Sequence, residues 1–88
     1  MFDFSKKLEY RLMDNFTEEQ YLVLPVWDAL YEDWSEEYQV YLIKNGICRI
    51  ATSVFVTPLM LEEAFPSDQY TLLESGQCLQ SKYRLRFT

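Results

Sequence analysis

Residues 38–51, YQVYLIKNGICRIA, predict a β-hairpin and with it a sheet at the centre of the fold. Asn45-Gly46 favours a two-residue type I′ turn, because that turn needs positive φ at both central positions. The predicted strands are residues 38–43 and 47–56. Side chains directly opposite each other across such a hairpin share one face of the sheet. The turn predicts two cross-strand pairs, Ile43 with Cys48 and Tyr41 with Ile50.

Both faces of this hairpin carry apolar side chains. Tyr38, Val40 and Leu42 alternate with Tyr41 and Ile43, and successive side chains of a strand point to opposite faces. Apolar surface gains free energy when it is removed from water. We therefore expect other elements of the chain to cover each face of the sheet.

The chain after this hairpin predicts a short helix and a second hairpin. Thr57-Pro58 is typical of a helix N-cap followed by proline at the first helical position, which predicts a helix over residues 59–65 that ends before Pro66. Residues 70–74 and 77–87 flank Ser75-Gly76, a weaker turn signal than Asn-Gly, and residues 82–87 alternate in polarity as a strand does. They are predicted to pair as the second hairpin, and its last strand offers an edge.

The N-terminal third is read as helical. Residues 5–13 fit either a strand, from their alternating polarity, or a helix face, from apolar residues at every fourth position, and their good helix formers favour the helix. Thr17 and Gln20 have the spacing of a capping box, which predicts a helix start. Pro25 interrupts that helix or opens another. The second helix would carry one apolar face composed of Trp27, Leu30, Tyr31 and Trp34.

These elements predict an α+β fold in a single domain, residues 1–88. It has N-terminal helices plus two β-hairpins flanking a short helix, with an antiparallel sheet of about four strands. The composition, 49% hydrophobic with two Gly and three Pro, is that of a folded chain without a membrane span. The first residues lack a signal-peptide pattern, so we expect a cytoplasmic protein. Two cysteines without histidine indicate buried thiols rather than a zinc site.

Charge is concentrated in residues 14–37, which contain eight acidic residues and no Lys or Arg, whereas the whole chain has a net charge of −6. Aromatic residues, including both tryptophans, are interspersed among these carboxylates. A concentrated negative field attracts basic surfaces and repels nucleic acid. Acidic faces are also common as simple solvated surfaces that keep a protein soluble. The acidic residues of the block are Asp14, Glu18, Glu19, Asp28, Glu32, Asp33, Glu36 and Glu37.

The composition argues against catalysis. The chain has no histidine, the most common general base and metal ligand at neutral pH. Its only glycines, Gly46 and Gly76, fall in predicted turns, so no glycine-rich phosphate loop can form. The acidic spacing matches no calcium-binding loop. We therefore predict no enzymatic activity, no catalytic residue, no metal and no cofactor.

The acidic block predicts a binding surface for a protein partner that has a basic surface, such as a nucleic-acid enzyme. Carboxylates along such a surface can imitate the phosphate charges of DNA, and an exposed aromatic side chain can anchor the contact. Direct nucleic-acid binding is disfavoured by the negative charge. The predicted partner-binding residues are Glu18, Glu19, Asp28, Glu32, Asp33, Trp34, Glu36 and Glu37.

In size, acidity and lack of catalytic residues, the chain resembles small phage proteins that inhibit host defences or polymerases. It resembles equally the immunity proteins that neutralise nuclease toxins. This resemblance implies a cytoplasmic inhibitor that blocks the nucleic-acid-binding surface of its target, and no motif specifies one family. The alternative is an accessory subunit or homodimer, because an edge strand offers free N–H and C=O groups and 17% aromatic residues exceed what a small core requires.

Overall fold

A computed structural model describes residues 2–88, which form a six-stranded mixed sheet and two short helices. The strand order is β5-β1-β2-β3-β4-β6. Neighbouring strands are antiparallel except β4 and β6, which are parallel. The elements are β1 (Glu9–Asp14), β2 (Gln20–Asp28), β3 (Asp33–Lys44), β4 (Ile47–Ile50), α1 (Pro58–Ala64), β5 (Tyr70–Gly76), α2 (Leu79–Lys82) and β6 (Arg86–Phe87).

The central hairpin predicted from Asn45-Gly46 is confirmed as β3–β4. Asn45 has φ 55° and Gly46 has φ 74°, the positive values that the predicted turn requires. Ile43 pairs with Cys48 and Tyr41 with Ile50, as predicted. The return strand is shorter than predicted: it ends at Ile50, and a single later bridge joins Val56 to Tyr38.

The predicted N-terminal helices are wrong, because β1 and β2 occupy this part of residues 2–88. The alternating pattern of residues 8–12 decides the conformation, since it buries Tyr10 and Leu12 on one face of a strand that pairs on both sides. The capping-box residue Thr17 lies in a turn, where the Asp14 carboxylate accepts hydrogen bonds from the Phe16 and Thr17 backbone N–H groups. Strand pairing over the whole sheet therefore outweighs local helix propensity.

The predicted second hairpin is also wrong. Ser75 and Gly76 continue β5 and pair with Tyr10 and Glu9 of β1, so the chain does not turn there. The predicted last strand, residues 77–87, instead forms α2 and the two-residue β6. The α+β prediction of two hairpins and an antiparallel sheet of about four strands is thus replaced by a mostly β fold with a mixed sheet of six strands.

The helix predicted after Thr57 is present as α1. The Thr57 side chain accepts a hydrogen bond from the Met60 backbone N–H, and Pro58 is the first helical residue. Leu61 of this helix is fully buried. The local signals of an N-cap and a proline were sufficient here because they act within one turn of chain.

Both faces of the sheet are covered, as predicted. The larger core lies under the N-terminal segment and α1, and the smaller core lies under α2 and includes Leu22 and Cys48. Within residues 2–88 no helix has the length and hydrophobicity needed to span a membrane. The buried residues of the larger core are Phe4, Tyr10, Leu12, Val23, Tyr38, Val40, Val56, Leu61 and Phe65.

Candidate functional site: an acidic and aromatic hairpin arm

Strands β2 and β3 extend beyond their neighbours and form a two-stranded arm, defined here as residues 26–37. The pairing of β1 with β2 covers only the first part of β2, up to Val23. The pairing of β4 with β3 begins only at Tyr41. Within residues 2–88, therefore, no third strand lies beside the last pairs of the β2–β3 ladder, Trp27 with Trp34 and Asp28 with Asp33.

A bulge separates the arm from the sheet. The register of β2 and β3 shifts between the pair formed by Pro25 with Tyr38 and the pair formed by Trp27 with Trp34. Three residues of β3, 35–37, face Val26 alone. A bulge of this kind bends the strand and increases its twist. The Ser35 hydroxyl accepts a hydrogen bond from the Glu37 backbone N–H at 3.1 Å and stabilises the extra residues locally.

The tip of the arm is a four-residue loop, residues 29–32. The Asp28 carboxylate accepts a hydrogen bond from the Leu30 backbone N–H at 3.0 Å, and the Asp33 carboxylate accepts one from the Trp34 backbone N–H at 2.8 Å. Glu32 adopts φ 51°, which is uncommon outside glycine, asparagine and aspartate. The two aspartates also face each other across the ladder, where like charges are unfavourable. The tip is therefore locally ordered but carries strain and charge repulsion.

The arm exposes four large apolar side chains. Trp27 and Trp34 pack edge to face with ring centroids 5.2 Å apart, yet remain 52% and 44% exposed. Leu30 and Tyr31 at the tip are 82% and 76% exposed. Scattered exposed apolar residues are ordinary, but four on one projecting element are typical of an interaction site.

Within residues 2–88 the carboxylates of the arm have no cationic side chain as an ion-pair partner. Residues 26–37 contain five carboxylates and no Lys or Arg. Within residues 2–88 none of these carboxylates forms an ion pair, and the ion pair that does form joins Lys82 to Glu74 on β5. Lys7 approaches the base of the arm, but its ammonium donates to the Ser35 carbonyl at 2.7 Å.

The predicted binding residues do not form one surface. Asp28, Glu32, Asp33, Trp34, Glu36 and Glu37 all lie in the arm. Glu18 and Glu19 precede the other end of β2, and six strand steps of about 3.3 Å each, about 20 Å in all, separate Gln20 from the start of the arm at Val26. They border a depression that Arg11 and Lys44 also line, so basic side chains lie near them. The predicted continuous acidic surface is therefore split between opposite ends of the sheet.

The predicted apolar helix face is also wrong. The i, i+3, i+4 and i+7 spacing of the four residues arises instead from a hairpin, in which Trp27 and Trp34 are cross-strand partners and Leu30 and Tyr31 occupy the tip. Leu30 was not among the predicted binding residues. Two tryptophans flanking two aspartates, with four residues between the aspartates, are the signal that indicates this hairpin, since aspartate is favoured at the start of turns.

Within the part of the chain that the structure describes, no three acidic or cysteine side chains come close enough to hold a metal ion. Comparison of the chain with protein-family models, with curated proteins and with solved structures finds no significant match.

Proposed function

We propose that this chain is a non-enzymatic interaction module that inhibits a protein partner by placing the arm on that partner's basic, nucleic-acid-binding surface. One observation supports the proposal above the others. The arm combines four exposed large apolar side chains with five carboxylates that have no internal cation among residues 2–88.

The two kinds of side chain have different roles in the proposed contact. Carboxylates accelerate the encounter with a basic surface and set its salt dependence, whereas most of the binding energy at protein interfaces comes from a few desolvated anchors. Trp27, Trp34 and Tyr31 are of the residue types that dominate such anchors. A two-stranded ribbon is also narrow, with about 4.8 Å between strands, so it can enter a groove.

A nucleic-acid enzyme presents a suitable surface. Its groove is lined with Lys and Arg that neutralise phosphates. Carboxylates that occupy this groove exclude the nucleic acid, and no reaction is required of the inhibitor. The absence of histidine from the chain is consistent with a binding role of this kind.

The first experiment is co-purification of the tagged protein from a bacterial lysate at low and high salt, with nuclease added. We compare the original protein with an arm variant, Glu32→Gln, Asp33→Ser, Glu36→Gln and Glu37→Gln. We expect a stoichiometric partner that dissociates as salt rises. It should bind the arm variant at least about tenfold more weakly and with a flatter salt dependence. It should also lose its own nucleic-acid binding when this protein is bound.

A matched control uses the other acidic end of the sheet. The double variant Glu18→Gln, Glu19→Gln removes charge outside the arm and should retain the partner. Equal weakening by both variants would mean that only the overall charge matters. Unchanged affinity and salt dependence in the arm variant would show that the arm is merely a solvated surface.

A second function, homodimer formation, has a different structural basis. Apolar side chains between β4 and the first turn of α1 are exposed, among them Val54, Phe55 and Leu59. Light scattering at micromolar concentration should give the mass of two chains if this surface is an interface, and Phe55→Ser with Leu59→Ser should restore a monomer. The edge strand predicted over residues 77–87 does not support a dimer, because β6 contains only two residues.

A further inference from the structure

A cavity of about 370 Å³ lies at the base of the arm, between β2, β3 and the start of α2. Its volume is within the range of about 300–1,000 Å³ that small-ligand sites occupy. The cavity connects the arm to the rest of the molecule, because residues of the N-terminal segment, β1 and α2 contribute to it. Its lining residues are Lys7, Glu9, Leu24, Pro25, Trp34, Gln77, Cys78 and Gln80.

One wall of this cavity is apolar and aromatic. Trp34 is 44% exposed, and Leu24 and Pro25 of β2 line the cavity with it. The indole face of tryptophan is the strongest aromatic partner for a cation. The wall therefore suits a flat or cationic group better than an anionic one.

Two other side chains of the lining, Glu9 and Gln80, carry hydrogen-bond acceptors. Gln80 Oε1 is buried and has no hydrogen-bond partner within residues 2–88. Glu9 is 9% exposed, and its Oε2 accepts the Leu79 backbone N–H at 2.9 Å, which fixes the carboxylate in place. No ion pair neutralises Glu9 within the described part of the chain. A buried acceptor and a nearly buried carboxylate both favour a ligand that brings donors and positive charge.

Lys7 does not fill this role. Its ammonium donates to the Ser35 carbonyl at 2.7 Å and lies 5.5 Å from the centre of the Tyr38 ring. The Lys7 side chain is thus held against the bulge at the base of the arm. Glu9 Oε2 is already occupied by the Leu79 N–H, and Gln80 Oε1 is unpaired within residues 2–88 but shielded from solvent, so its amide must turn to meet an incoming donor.

We propose that this cavity receives an arginine side chain of the partner, with its guanidinium stacked on Trp34, paired with Glu9 and donating to Gln80 Oε1. The inference rests on the proposed function and deepens it, since the arm would contact a basic surface while the cavity captures one of its side chains. Arginine fits better than lysine because its planar guanidinium stacks on aromatic rings and presents five donors in a rigid fork.

The test uses acetyl-arginine amide as the probe and acetyl-citrulline amide as its neutral isostere. Binding is followed by nuclear magnetic resonance of the two tryptophan indole N–H signals, which are assigned with the Trp27→Phe variant. We expect the arginine probe to shift the Trp34 signal more than that of Trp27 and to bind at least about tenfold more tightly than citrulline. Equal binding of the two probes, or no binding of either, would overturn the proposal.

Two variants locate the contact. Gln80→Met keeps the side-chain length but removes the acceptor, and Glu9→Gln keeps an oxygen for the Leu79 N–H but removes the charge. Each should weaken the arginine probe by about tenfold, the loss expected for a charge-assisted hydrogen bond. The control variant Glu63→Gln, at an exposed position of α1 outside the cavity, should leave binding unchanged, and urea unfolding verifies that each variant is folded. If neither cavity variant weakens the probe, the assignment of the cavity is wrong.

Further comparisons separate this inference from the proposed function. Partner capture that depends on the arm carboxylates but not on Gln80 would refute the cavity proposal and leave the proposed function standing. Arginine binding that depends on Glu9 and Gln80, without any partner that requires the arm, would refute the proposed function and support the cavity's recognition of guanidinium. Free arginine that binds much more tightly than its acetylated amide would identify a metabolite as occupant and refute the side-chain assignment.

Discussion

Tyr38 joins the N-terminal segment to the sheet through one side chain. It is fully buried, and its single hydroxyl proton is shared between the carbonyls of Phe4 at 2.7 Å and Lys6 at 2.6 Å. Tyr10 donates to the same Lys6 carbonyl at 2.9 Å. Burial, with Tyr10 nearby, raises the pKa of Tyr38 to about 12. Because this side chain must remain neutral in the folded protein, it makes the stability dependent on pH.

The alkaline stability of the fold tests this role of Tyr38. Its pKa is higher in the folded state than the ordinary value of 10.0, so its contribution is complete below pH 10.0 and is lost as pH rises towards about 12. We expect the free energy of unfolding, measured with urea, to fall across this interval. Tyr38→Phe should cost about 1–3 kcal/mol at neutral pH, because the buried Phe4 carbonyl loses its donor, and should reduce the alkaline loss.

The alkaline loss should not disappear in that variant. Burial also raises the pKa values of Tyr10, Tyr21, Tyr41 and Tyr70. Ultraviolet titration of tyrosinate in the folded protein follows all of these groups. An alkaline loss of the same size in Tyr38→Phe and the original protein would contradict the assigned role of Tyr38.

The β3–β4 hairpin depends on the conformation of its turn. Gly46 has φ 74°, where any other L-residue is strained, although a Cβ there would meet no atom within 4 Å. The cost of a substitution is therefore one of backbone conformation and not of packing. The hairpin contributes Cys48 to the smaller core and its ladder extends the sheet, so the turn affects the stability of the whole fold.

We expect Gly46→Ala to lower the free energy of unfolding by about 1 kcal/mol. Gly76→Ala is the matched control, because a Cβ at Gly76 is equally free of neighbours and its φ lies outside the left-handed region. This control should be neutral or slightly stabilising, since it reduces the entropy of the unfolded chain. Equal destabilisation in both variants, measured by urea unfolding, would contradict a conformational origin.

At the scale of the whole molecule, the two faces of one sheet each contribute side chains to a separate hydrophobic core. Leu61 of α1 seals the larger core, and Leu79 of α2 seals the smaller core together with Leu22 and Cys48. Cys48 is fully buried, which raises its pKa, whereas Cys78 is exposed. The reactivity of Cys48 therefore reports on the opening of the smaller core alone.

We expect a thiol reagent to modify Cys78 rapidly and Cys48 only after local opening of α2. Leu79→Ala should accelerate the modification of Cys48 and cost about 2–5 kcal/mol of stability. Leu61→Ala should lower the stability by an amount in the same range. Under conditions where both variants are folded, Cys48 should nevertheless react more slowly in Leu61→Ala than in Leu79→Ala. If Leu61→Ala exposed Cys48 equally, the two faces would open as one unit. Reaction is followed by mass spectrometry in a Cys78→Ser background.

Local signals in the sequence were sufficient where they act over a few residues. Asn45-Gly46 determined the β3–β4 turn and its register, and Thr57-Pro58 determined the start of α1. Periodicity failed where helix and strand patterns overlapped. The local pattern predicts helices over residues 5–13 and 17–34. It does not reveal β5, residues 70–76, which pairs with β1 on its outer side and lies more than fifty positions along the chain.

The sequence by itself determined the composition of the candidate site, a segment that is acidic, aromatic and free of Lys and Arg. Only the tertiary structure decided its arrangement. Pairing along β2 places Glu18 and Glu19 at the end of the strand opposite to the carboxylates of the arm, and the bulge separates Trp27 and Trp34 from the rest of the sheet. The tertiary structure also brings Glu9 and Gln80, seventy-one positions apart in the chain, to one cavity with Trp34. The physical reason is that backbone pairing and burial join distant residues, whereas periodicity in the sequence describes only neighbours.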